Sequence, residues 1–168
     1  GTFNNKKILQ VSFPKINSFK VVGLNEIESS KIYKDLLIFE ESNLFFIKKE
    51  NISNVMNSNK FVEKFSIFKN YPSELTINVK KTKFLAQTKI NNEFFYIGSN
   101  GNLINMTNDQ TELPFLFGNI EIKEFLKFKK IIDKSKFDYD KIKNLFYFKS
   151  KRWDIETKDN LIIKFPDK

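Results

Sequence analysis

The chain has 168 residues, 29 basic and 20 acidic side chains, a formal net charge of +9, and neither cysteine nor histidine. Disulfide scaffolds, Cys/His zinc sites, thiol nucleophiles and Ser-His-Asp catalysis are therefore excluded, and no glycine falls in a phosphate-cradling GxGxxG or GxxxxGK[ST] pattern. The length suits one compact domain or two small ones.

Lys, Asn, Ile and Phe supply 88 of the 168 residues, a bias typical of AT-rich codons, and arginine occurs once, as Arg152. A chain that grips phosphates normally uses the planar, multi-donor fork of arginine as well as lysine. The positive charge thus reads either as a nucleic-acid or anionic-membrane surface or as a codon-driven, solvated lysine surface, and the scarcity of arginine favours the second. Apolar residues make up 40% of the chain, enough for real cores, and no apolar run approaches the ~20 residues that span a bilayer. Gly1-Thr2-Phe3 reads as a cut edge rather than a natural start.

Residues 1–24 read as an extended lead-in in which Phe19 and Val21 alternate before Gly23. Asn25 with Glu28 has capping-box spacing, and Ile32, Tyr33, Leu36 and Leu37 recur at helical period after it. A second helix places Ile52, Val55 and Met56 on one face and ends at Asn57-Ser58-Asn59. From Val62 the period becomes two, through Phe65 and Ile67, a turn at Pro72-Ser73-Glu74, and Leu75, Ile77 and Val79. Strand, helix, helix, strand, strand predicts a three-stranded sheet covered by two helices.

After Ala86 the pattern is mostly strand. Glu93–Ile97 and Leu103–Met106 flank Asn100-Gly101, a strong hairpin signal. One helix is expected from about Glu121 to Asp133, with Ile122, Phe125, Leu126, Lys129 and Ile132 inward. Three strands close the chain, at Asn144–Phe148, Trp153–Thr157 and Leu161–Phe165. The predicted class is α+β, with a second half that is mainly antiparallel and carries one helix.

Paired carboxylates are the remaining catalytic option, with Asp138 and Asp140 in one loop and Asp109 and Glu112 in another. Turn and cap roles explain such residues more simply. The aromatics fall at core-facing periods rather than interleaving with the lysine clusters, which argues against base stacking. Trp153 sits beside Arg152, and an arginine retained against the codon bias suits a planar, multi-donor contact.

The order of motifs resembles a known family. Ile16-x-x-Phe19-x-Val21-x-Gly23, Asn43-Leu44-Phe45, and Tyr71-Pro72-Ser73-Glu74-Leu75-x-Ile77-x-Val79 are similar to the POTRA domain of the bacterial division proteins FtsQ and DivIB. Phe84-Leu85-Ala86, Phe95–Ile97 with Asn100-Gly101, Leu113-Pro114-x-Leu116-x-Gly118 and Arg152-Trp153-x-Ile155 resemble the same family's β domain. The resemblance implies a membrane-proximal lead-in over residues 1–12, a POTRA domain over 13–85 and a β domain over 86–168 that continues past this chain's end. It further implies a non-catalytic hub without cofactor or metal, held in the inner membrane by a preceding helix, with this region periplasmic at the septum. The implied partners are FtsB, in complex with FtsL, and other divisome components. The implied partner-binding residues are Lys151, Arg152 and Trp153, beside an open sheet edge to which FtsB adds, much of that contact lying in a last strand beyond residue 166. Two further readings stand beside it: a POTRA-type chaperone or transport-associated module, and a basic nucleic-acid or lipid-binding domain.

Overall fold

A computed structural model describes residues 12–106 and 112–166. The chain divides into two units. The first runs up to Asn59 and includes Lys64–Lys80, while the second takes Lys60–Glu63 and the chain from Lys81 onward.

In the first unit, β1 (Ser18–Val22), α1 (Glu26–Leu36), α2 (Lys49–Ser58), β2 (Val62–Asn70) and β3 (Glu74–Lys81) follow the expected order. The sheet order is β1-β3-β2, with β1 parallel to the central β3, Phe19 opposite Leu75 and Val21 opposite Ile77. Gly23 ends β1 at φ +98, where a Cβ would lie 2.0 Å from the Val79 carbonyl oxygen, so only glycine fits this close approach. Asn25 then closes the predicted capping box on Glu28: its side chain accepts from the Glu28 N–H at 2.9 Å and its own N–H donates back at 3.3 Å. Ile32 and Leu36 of α1 and Ile52 and Met56 of α2 are fully buried with Ile16, Leu44, Leu75 and Ile77. Tyr33 and Leu37 stay largely exposed; Leu37 opens a 3-10 turn instead of extending the helix. Asn59, buried at the end of α2, donates to the Val55 carbonyl and to Asp35.

The second unit holds β4 (Phe84–Ile90), β5 (Glu93–Gly98), β6 (Leu103–Asn105), β7 (Phe115–Phe117), α3 (Ile122–Lys134), β8 (Ile142–Tyr147), β9 (Trp153–Thr157) and β10 (Ile162–Phe165). Its seven strands are ordered β10-β9-β8-β7-β4-β5-β6. The Leu113–Gly118 segment, to which sequence pattern assigns no element, is β7, and it runs parallel to both β4 and β8 while the remaining pairs are antiparallel. Gly118 ends β7 at φ +111 with room for no Cβ, since one would lie 2.2 Å from the Tyr147 carbonyl oxygen.

Helix α3 covers one face of this sheet. Phe125, Phe128 and Ile132 are buried with Ala86, Ile97, Leu116, Leu145, Trp153 and Ile155. Phe128 is the core position that periodicity missed, whereas Ile122 and Leu126 are only partly buried. Lys129, expected on the inner face, places its ammonium 4.1 Å from the centre of the Tyr139 ring and pairs with Asp133. Tyr139 donates to the Leu85 carbonyl at 2.6 Å, and burial, with Asp133 and Asp140 nearby, pushes its phenol well above the ordinary value.

Candidate partner-binding site

The β8–β9 hairpin carries the three residues singled out by sequence. Its turn is closed by the Phe148 N–H donating to the Arg152 carbonyl at 3.0 Å and the Lys151 N–H donating to the Phe148 carbonyl at 2.9 Å. Lys151 sits in the left-handed region at φ 67, and it is exposed at the hairpin tip.

Alternation along β9 sends Trp153 and Asp154 to opposite faces. Trp153 is 8% exposed and lies flat on Phe128, 4.2 Å between ring centres with an interplanar angle of 5°, and beside Tyr147 at 4.9 Å. It therefore supports the hairpin from within the core, and a contribution to any partner surface runs through the residues it carries. Arg152 lies on the other side. Its Nε and Nη2 donate to the two carboxylate oxygens of Asp154 at 3.0 and 3.3 Å, and its guanidinium lies 4.4 Å from the centre of the Phe148 ring. Asp154 is 6% exposed, so the fork expected to meet a partner carboxylate already holds an internal one. The i, i+2 spacing of Arg152 and Asp154 on a strand is a signal that sequence alone offered, because such residues share a face.

Beyond β9 lies β10. Ile162 pairs with Glu156, Ile163 with Ile155, Lys164 with Asp154 and Phe165 with Trp153. Among the described residues β10 has a neighbour on one side only. The Thr157 N–H donates to the Leu161 carbonyl; antiparallel alternation then turns the main-chain groups of Ile162 and Lys164 away from β9, toward the open edge. Ile162 is 59% exposed. The resulting surface is an unpaired strand edge with Lys164 beside the Arg152–Asp154 pair, its other face resting on Phe128 through Phe165, 5.4 Å away.

The carboxylates considered for catalysis occupy other places. Asp138 accepts from the Asp140 N–H in a 3-10 turn, and Glu112 meets Lys158 at 3.4 Å. Asp109 lies outside the described residues. Among the described residues no group of three acidic side chains is placed to hold a metal, and no helix is long and apolar enough to cross a membrane.

The profile of the FtsQ-type POTRA domain matches residues 15–81. The chain is 29% identical over 93 residues to the cell division protein DivIB of Clostridium botulinum (strain Hall), covering 55% of this chain and 36% of that protein. It is 22% identical over 157 residues to the cell division protein FtsQ of Rickettsia felis, covering 92% of this chain and 58% of that one. It thus spans less than two thirds of these relatives. The solved extracytoplasmic domain of DivIB from Geobacillus stearothermophilus aligns over 51% of this chain and 79% of that domain, at 13% identity and a TM-score of 0.41. Residues 15–81 thus match the FtsQ-type POTRA domain, and the chain is similar to the cell division proteins DivIB and FtsQ.

Proposed function

We propose that the chain is a non-catalytic scaffold of the division machinery, anchored in the inner membrane with this region on its periplasmic face. In this reading the β domain, over residues 86–168, binds the FtsB/FtsL complex at the septum and couples it to peptidoglycan synthesis. The observation that carries the reading is the open edge of β10 beside Arg152, Lys151 and Lys164. Unpaired N–H and C=O groups along an edge accept an added strand by main-chain bonds, while neighbouring side chains select it. Lysines at the rim draw an acidic partner electrostatically.

The test is a binding titration with the extracytoplasmic segments of the FtsB-like and FtsL-like proteins of the same genome. It is run on this chain and on one extended to the natural C-terminus. Tight binding to both supports the site at β10; binding to the extended chain alone moves it to a later strand; binding to neither removes the reading. Arg152→Glu is expected to weaken affinity by about 2 kcal/mol or more. Because that change also leaves Asp154 repelled, Arg152→Ala with Asp154→Ala is the control: weakening in the single variant that the double variant restores assigns the effect to Asp154. A second reading, a POTRA-type module that captures extended client strands, is favoured by an open groove of about 420 Å³ between β1 and α1, lined by Phe19, Val21 and Tyr33. Binding of unrelated extended peptides there, without preference for FtsB, would favour it.

A further inference from the structure

At one end of the first unit four aromatic side chains gather without being buried. Phe13 precedes β1, Phe45 and Phe46 lie in the turn before α2, and Tyr71 lies in the turn between β2 and β3. Their rings touch in sequence. Phe13 meets Phe45 at 5.1 Å and Phe46 at 5.7 Å, and Phe45 meets Tyr71 at 4.6 Å. Yet they are 43%, 46%, 72% and 56% exposed. Rings held in mutual contact at a loop tip, while the adjoining Leu44 is fully buried, form a standing apolar protrusion on a folded base, larger than scattered surface hydrophobes.

Lysine surrounds the protrusion. Lys69 reaches across to donate to the Ile47 carbonyl at 2.7 Å, fixing the loop, and Lys48 and Lys49 follow it at the start of α2. Lys15 and Glu41 offset each other as a pair, and Glu74 accepts from Asn70. Glu50 stands in the first turn of α2.

We propose that Phe13, Phe45, Phe46 and Tyr71 form a membrane-interface contact that lays this end of the first unit on the headgroup region of an anionic bilayer. Two observations point to lipid. Phe and Tyr flanked by lysine is the composition of interfacial segments, in which rings enter the acyl boundary and ammonium groups stay with the headgroups. The net charge of +9 supplies the attraction to anionic lipid. The contact is separate from the β10 edge, and its test uses no division protein, so the two readings fail independently.

The experiment is vesicle co-sedimentation of this 168-residue chain at about 0.15 M salt. One set of vesicles is phosphatidylcholine with about one third phosphatidylglycerol and the other is phosphatidylcholine alone. The chain is expected to sediment with the anionic vesicles and more weakly with the neutral ones. The double variant Phe45→Ser with Phe46→Ser should bind about tenfold more weakly or worse, from the loss of two apolar side chains. Phe46→Ser alone changes the most exposed ring and should weaken binding while the thermal midpoint stays unchanged, which separates lipid contact from folding. A chain that remains in the supernatant overturns the proposal. So does a double variant that binds as the parent does, which would mean adhesion through lysines alone.

Discussion

The two units use the same local device and support it differently. In each, a strand with a parallel neighbour ends at a left-handed glycine, Gly23 after β1 and Gly118 after β7. In each, the missing Cβ makes room for a carbonyl oxygen, that of Val79 in β3 or of Tyr147 in β8. A helix starts three or four residues later. In the first unit it has a complete capping box at Asn25, and a second helix shares the sheet. In the second unit Glu121 makes no side-chain cap bond, and among the described residues α3 is the one α-helix beside a sheet of seven strands. A helix whose end is poorly capped must be held by packing, and α3 is, through Phe125, Phe128 and Ile132. Local capping adds to burial for α1 in the first unit, and burial carries α3 in the second.

This comparison predicts its own largest effect. Phe128→Ala removes the ring on which Trp153 lies and should cost about 4 kcal/mol, against about 3 kcal/mol for Leu36→Ala in the two-helix unit. Urea titration followed by fluorescence of the sole tryptophan reads the second unit, and circular dichroism reads both. Equal losses would mean that the lone helix is no more burdened than the pair.

Gly23→Ala and Gly118→Ala test whether the shared device matters equally. Each combines a left-handed backbone with a Cβ driven into a carbonyl, and each should cost about 3 kcal/mol. A small loss at either site would show that its neighbouring strand can retreat.

Tyr139→Phe should cost about 1 kcal/mol at neutral pH through the lost bond to the Leu85 carbonyl. It should also alter alkaline behaviour. The folded-state pKa of Tyr139 is raised above the ordinary 10, so the native state holds the proton that the unfolded chain gives up. Its stabilising contribution is complete below that ordinary value and is lost as pH rises beyond it. Melting curves of the parent should therefore fall more steeply above about pH 10 than those of the phenylalanine variant; parallel curves would remove Tyr139 from the linkage.

The smallest effects concern the caps. Asn25→Ala should lose about 1 kcal/mol, while Glu121→Asp, which offers α3 the cap it lacks, should gain about 0.5 kcal/mol. No gain at Glu121 would mean that packing already fixes the start of α3.

The amino-acid sequence by itself determined the elements whose physics is local. Capping at Asn25, alternation through Leu75, Ile77 and Val79, the Asn100-Gly101 turn and the helical period of Ile52 and Met56 are each set within a few residues, because side-chain direction and backbone preference act at that range. The order of motifs also pointed to the FtsQ-type POTRA domain, whose profile matches residues 15–81. Tertiary structure alone decided what depends on distant partners. A three-residue run such as Phe115–Phe117 has no readable period, and it becomes β7 because β4 and β8 supply its hydrogen bonds on both sides. Phe128 became core because Trp153, 25 positions later, lies flat against it. Arg152, singled out by composition, proved to hold Asp154, and the open edge beside it emerged only from the strand order. Burial and pairing are properties of the assembled sheet, so no window of sequence contains them.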